Sequence, residues 1–98
     1  MTTKESILSV LRSRKSELSK FGVRNVGLFG SYRREEQNAS SDIDLLLDFE
    51  PEAESFDNFM AVYDIMEQLF KGEKIEIVTV NGLSPYIGPT ILKEVQYV

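Results

Sequence analysis

The chain contains no cysteine and no histidine. Without cysteine, neither a disulfide framework nor a zinc–thiolate centre can form. Without histidine there is no imidazole to act as a base near neutral pH and none to ligate a metal. Any bound metal must be a hard ion held by carboxylate oxygens, a donor set that favours magnesium or manganese. Long apolar runs are also missing: nothing approaches the roughly 20 residues that span a bilayer. Met1-Thr2-Thr3-Lys4-Glu5 opens a polar helical pattern, so no signal peptide is expected. Positive charge is in short supply, with 11 Lys and Arg against 16 Asp and Glu and a net charge of −5. A broad nucleic-acid footprint needs clustered cations, so no nucleic-acid ligand is expected and a more basic protein partner fits better. The 98 residues suffice for one core, and residues 1–98 are expected to form one cytoplasmic domain.

What is present centres on Gly30-Ser31-Tyr32-Arg33-Arg34 and the stretch Ser41-Asp42-Ile43-Asp44-Leu45-Leu46-Leu47. Val23 to Phe29 reads as a strand that stops at Gly30-Ser31, and Asp42 to Phe49 as a second strand. Side chains alternate along a strand, so Asp42 and Asp44 share one face while Ile43, Leu45, Leu47 and Phe49 share the other. Antiparallel pairing would lay the Gly-Ser end of the first strand beside the Asp-x-Asp start of the second. A turn suited to phosphate would then adjoin two carboxylates.

The flanking segments are regular. Thr2-x-x-Glu5 predicts a capping box ahead of a helix carrying Ile7, Leu8, Leu11, Leu18 and Phe21, interrupted at Arg14-Lys15 and stopped by Gly22. Ser31 is expected to cap a short helix running to about Gln37, and Glu50 to Glu54 to form a solvated loop. Ser55 should cap a longer helix with Phe56, Phe59, Met60, Tyr63, Met66, Leu69 and Phe70 in one core stripe, widened by Val62 and Ile65. Lys74 to Val80 alternates as a third strand, Asn81-Gly82 marks a turn, and a short helix from Pro89 to Glu94 precedes a final strand at Gln96 to Val98. The fold expected is α+β, a small mixed sheet with helices packed on its apolar face and the aspartates on the other.

Gly30-Ser31, ten residues, then Asp42-Ile43-Asp44, with the Lys74-Ile75-Glu76-Ile77-Val78 strand downstream, resembles the signature of the MNT-type minimal nucleotidyltransferases of the DNA polymerase beta-like superfamily. The resemblance covers most of the chain. It implies an antitoxin that transfers AMP from ATP to a tyrosine of a partner HEPN-domain ribonuclease toxin. Against the family's Gly-Ser-x-Ala-Arg-Gly-Glu, Arg33 stands at the Ala position and Glu35 at the Gly position, while Arg34 and Glu36 match. The third carboxylate, usually Asp, is Glu76.

Physical chemistry gives those residues roles. Two unit charges about 4 Å apart repel by roughly 4 kcal/mol at an effective dielectric near 20, so Asp42, Asp44 and Glu76 together call for a dication or a proton. One or two magnesium ions bridging them and a triphosphate would meet that need. In this reading all three carboxylates are metal ligands, and Glu76 can also accept the nucleophile's proton. Gly30 lets backbone approach a phosphate, Ser31 offers a hydroxyl and an N–H, and Arg34 clamps phosphate. Plainer readings stand beside these: Gly30-Ser31 as a simple turn and cap, Asp42 and Asp44 as loop and edge carboxylates, Glu76 as an exposed strand residue. Arg33 and Arg34 read equally as a solvated charged turn, and Asp48 as surface. Three functions follow: protein modification by nucleotidyl transfer, a same-fold module that neutralises a partner by contact alone, or transfer to a small molecule or RNA end. The expectation of a single domain and the lack of a basic stripe in these residues disfavour the last.

Overall fold

The computed structural model describes residues 2–98. Helix α1 spans Lys4–Ser13 and α2 spans Lys15–Ser19. The capping box is present one residue later than predicted: Thr3 accepts from the Ser6 N–H at 3.1 Å, and Ser6 Oγ accepts from the Thr3 N–H at 2.9 Å. Ser replaces Glu at the third helical position because its shorter hydroxyl still reaches back. Thr2 instead bonds Glu73 through its hydroxyl, at 2.6 Å. The expected interruption at Arg14-Lys15 is a true break, with Arg14 at φ −109, ψ 4.

Strand β1 (Val23–Phe29) has the predicted bounds and leads directly into α3 (Gly30–Arg34), shorter than the predicted run to Gln37. Strand β2 (Ile43–Phe49) returns antiparallel to β1. A single 3-10 turn at Pro51–Ala53 and the helix α4 (Phe56–Leu69) then carry the chain to β3 (Ile75–Thr79), which lies parallel to β2. A parallel pair requires such a crossover, and a helix is its usual form. After another 3-10 turn at Val80–Gly82, α5 (Gly88–Glu94) and β4 (Gln96–Tyr97) complete the fold. The sheet order is β3-β2-β1-β4, so the mixed α+β architecture is as expected.

Central position explains why β2 reads as nearly continuous apolar sequence. On one face Ile43, Leu45, Leu47 and Phe49 join Val23, Val26 and Leu28, and against them pack Ile7, Leu8, Leu11 and Leu18 together with Val62, Met66 and Phe70. Each fully buried aliphatic side chain there contributes roughly 1.5–3 kcal/mol of transfer free energy. The opposite face carries Asp44, Leu46 and Asp48. Leu46 is also fully buried, and its β1 neighbour Gly27 pairs on the other side with Tyr97 of β4. A Cβ on Gly27 would lie 2.6 Å from Val95 Cγ2 and 2.9 Å from the Gln96 carbonyl oxygen, so only glycine admits so close an approach of β4.

One expectation about α4 is corrected. Phe56, expected in the core stripe, is 77% exposed, and Met60 is exposed as well. The buried face is centred on Val62 and Met66, with Phe59, Ile65, Leu69 and Phe70 beside them. The stripe widened by Val62 is in fact centred on it, because helical periodicity fixes which residues share a face but not which part of a broad apolar arc meets the sheet.

Candidate active site

Strand register builds the site. Asp44 sits opposite Phe29, the last residue of β1, and opposite Glu76 of β3. Paired residues on neighbouring strands project to the same face, so Asp44 is flanked by the β1–α3 junction on one side and Glu76 on the other. Asp42 lies just before β2 on the same face. A bond from the Ile43 N–H to the Lys74 carbonyl (2.8 Å) ties the starts of β2 and β3 together.

The junction itself demands glycine. Gly30 has φ +77, and a Cβ there would collide with the Asp44 carboxylate, lying 2.9 Å from its Cγ. The backbone therefore comes directly against the catalytic-candidate carboxylate. Ser31 is not the N-cap: extended Phe29 holds that position and no side chain caps the helix. The left-handed turn at Gly30 starts the helix one residue early, which removes the geometry a Ser31 cap needs. At the other end of α3, Glu35 is left-handed at φ 58. It occupies the C-terminal position where glycine is usual.

The carboxylates interact. The Asp44 carboxyl is pushed up to about 6 by partial burial, by the negative charges of Glu76 and Asp42, and by a hydrogen bond shared with Glu76; Arg34 acts in the opposite direction. Negative charge is thus held there without full compensation. Among the described residues, no three carboxylates are arranged to close around an ion by themselves. The oxygen-only donor set and the unneutralised charge fit a hard dication that takes its remaining ligands from phosphate and water.

Arg34, Gly30 and Arg33 converge on a residue that the sequence reading did not single out. Glu94, at the end of α5, accepts from the Gly30 N–H at 2.7 Å and from Arg34 Nη1 at 2.6 Å. Arg34 Nε also donates to Glu36 at 2.9 Å, and Arg33 Nε donates to the Glu94 carbonyl at 2.9 Å. Burial works to raise the Glu94 carboxyl, but Arg34 and the Gly30 N–H outweigh it and hold the group below its ordinary value. Glu94 belongs to a short helix and lies 64 residues from Gly30. No local motif marks such a pairing.

The remaining candidates separate cleanly. Asp42, Asp44 and Glu76 gather at one end of the sheet with Gly30, and Ser31 and Arg34 follow in α3. Asp48, placed on the surface by the sequence reading, pairs with Arg24 through two bonds of 3.0 and 3.2 Å and accepts from Asn25 at 3.1 Å.

Comparison with known proteins agrees with this geometry. The profile of the nucleotidyltransferase domain family matches residues 8–98. The protein adenylyltransferase MntA of Thermococcus cleftensis is 42% identical over all of this chain and 98% of its own. A solved structure assigned to the minimal nucleotidyltransferases superposes with a TM-score of 0.81 at 28% identity, covering 97% of this chain and 95% of that one. A toxin–antitoxin structure with AMP-PNP shares the fold, at TM-score 0.57 and 16% identity over 98% of this chain and 72% of that one. With the glycine turn, the paired strand carboxylates and the strand order all in place, the chain belongs to the nucleotidyltransferase domain family.

Proposed function

We propose that this nucleotidyltransferase is a magnesium-dependent protein adenylyltransferase that moves AMP from ATP to a hydroxyl, most suitably a tyrosine, of a partner HEPN ribonuclease toxin, and so acts as its antitoxin. The observation that carries the reading is the placement of Asp44 between Gly30 and Glu76. A turn that brings backbone close and a set of carboxylates lacking compensating charge meet at one point. The similarity to MntA, a named protein adenylyltransferase, supports the choice of a protein acceptor.

In this mechanism Asp42, Asp44 and Glu76 would hold the metal. A bound dication offsets charge on the transferring phosphoryl group and lowers the pKa of the attacking hydroxyl. Ser31 and Arg34 orient the triphosphate. The acceptor oxygen bonds to the α-phosphorus as the bond to pyrophosphate breaks, and Glu76, exposed on its strand, takes the hydroxyl proton. Asp42 faces an open groove beside Tyr63 and Lys74, which leaves an approach for a side chain from a partner.

Titration calorimetry of ATP with magnesium tests the site. The wild type is expected to bind, and an Asp42→Asn, Asp44→Asn double mutant to lose metal-dependent binding while remaining folded. Incubation with the partner toxin and ATP should then leave AMP on a tyrosine, seen by mass spectrometry of its peptides. Neutralisation by contact alone is the second reading, favoured by Glu94 already holding Gly30 and Arg34. Partner inhibition undiminished in the double mutant would establish it.

A further inference from the structure

We infer that Glu94 is a built-in competitor of the triphosphate: its carboxylate occupies donors that nucleotide must use, so it sets the affinity for nucleotide. This rests on the reading of Gly30, Ser31 and Arg34 as the phosphate-binding elements. The geometry is specific. One carboxylate oxygen takes the Gly30 N–H at 2.7 Å and the other takes Arg34 Nη1 at 2.6 Å. A carboxylate spanning a backbone N–H and a guanidinium uses the same donor chemistry that a phosphate oxygen pair would use.

Hydrogen-bond and charge counts both require displacement. A backbone N–H has one hydrogen, so Gly30 cannot donate to a phosphate while it donates to Glu94. Arg34 carries one positive charge and already faces two carboxylates, Glu94 at 2.6 Å and Glu36 at 2.9 Å. A triphosphate brought to that guanidinium would meet Glu94 as a like charge at close range, beside the carboxylates of Asp42, Asp44 and Glu76. Repulsion of this kind is substantial in a partly buried site. Glu94 is partly buried, its side chain only 18% exposed, so solvent screening does not remove the conflict.

Displacement need not move the helix. Arg33 Nε holds the Glu94 main-chain carbonyl, not its carboxylate. Rotation of the Glu94 side chain would release Gly30 and Arg34 while that bond keeps the end of α5 against α3. Arg33, the residue that departs from the family's alanine, thus has a defined place in the exchange.

The test is equilibrium binding of magnesium–ATP and of inorganic tripolyphosphate to the wild type, Glu94→Gln and Glu94→Ala. Circular dichroism and thermal melts would confirm that each variant is folded. Glu94→Gln is expected to tighten both ligands about tenfold, because the amide lacks the competing charge. Glu94→Ala, which frees the Gly30 N–H outright, should tighten them at least as much. Adenosine, which carries no phosphate, should be indifferent to either change. Triphosphate affinity unchanged or weakened in a folded Glu94→Gln protein would overturn the proposal and make Glu94 an anchor for Arg34. Failure of every folded protein to bind either triphosphate would overturn the phosphate-site reading as well, which separates the two failures. Binding by the variants alone would support both.

Discussion

Asp44 and Asp48 stand on the same strand and the same face, four residues or about 13 Å apart, yet their surroundings are opposite. Asp48 is met by two nitrogens of Arg24 and the amide of Asn25; burial works to raise it, but these partners prevail and lower it. Asp44 is partly buried, is met by Glu76 and Asp42, and is pushed up to about 6. One carboxylate is satisfied by the folded chain. The other is left in deficit, which suits it to the metal-holding role proposed for it. Perturbed groups of this second kind mark functional sites more often than groups of the first.

Breaking the comparison at its functional end should have the largest effect. Asp44→Asn is expected to lower AMP transfer by about 10³-fold, the upper range for loss of a group that stabilises transition-state charge. Asp48→Asn should leave transfer within about threefold while lowering thermal stability, since its partners lie outside the site. Transfer assays paired with melts on both variants check the contrast. Equal activity losses in the two would show that the site extends along the whole strand face.

Backbone crowding separates the two aspartates just as sharply. Gly30 is left-handed and presses on Asp44, whereas the β1 residues near Asp48 carry side chains that bond to it. Gly30→Ala combines a positive φ with a collision against the carboxylate, and a loss of about 2–3 kcal/mol is expected. Glu35 is also left-handed but exposed at the end of α3. Glu35→Gly should therefore do the reverse and stabilise by about 1 kcal/mol. Chemical denaturation of both variants reads the two signs.

The opposed shifts also predict opposed responses to pH in the metal-free protein. Asp44 has its folded value, about 6, above the ordinary 3.8. The folded chain therefore takes up that proton first, and stability should rise as pH falls through 6 and level off near the ordinary value. Asp48 has its folded value lowered. Its contribution is complete above its unfolded value and is lost as pH falls through the folded one, so it acts only in the acid range. With chelator present, Asp44→Asn should stabilise the protein at pH 7.5 by about 1 kcal/mol, discounted for a half-exposed group, and this gain should vanish near pH 4. A gain that persists there would mean that charge is not its source.

Much of this contrast was legible in the sequence, and the missing part has a physical cause. Strand alternation placed Asp42 and Asp44 opposite Ile43 and Leu45, and both ends of β1 were marked by Gly22 and Gly30. Asp42 and Asp44 were readable as a pair from that alternation alone, whereas Glu76 entered through the resemblance to the minimal nucleotidyltransferases, because the register that sets it beside Asp44 is fixed only when β3 pairs with β2. Glu94 was not readable: its partners lie 60 and 64 residues away, and only the tertiary return of α5 joins them. Ser31 and Phe56 were misplaced for a related reason. A cap depends on backbone angles set by Gly30, and the buried arc of α4 on how the sheet meets it, and neither is carried by local spacing.

The smallest expected effect sharpens the comparison from its structural end. Arg24→Ala removes the bidentate partner of Asp48 and its weaker contact with Glu50 at 3.9 Å. Arg24 is well exposed, and pairs of that kind contribute little because solvent and salt screen them. Asn25 remains to hold one Asp48 oxygen, so the carboxylate is not orphaned. The melting temperature should fall slightly, less in high salt, while nucleotide binding and transfer stay at wild-type values. If Arg24→Ala instead weakened nucleotide binding, the field of Asp48 would be reaching Asp44 along the strand. The division between a satisfied and an unsatisfied carboxylate would then be one of degree, set by a charge four residues away.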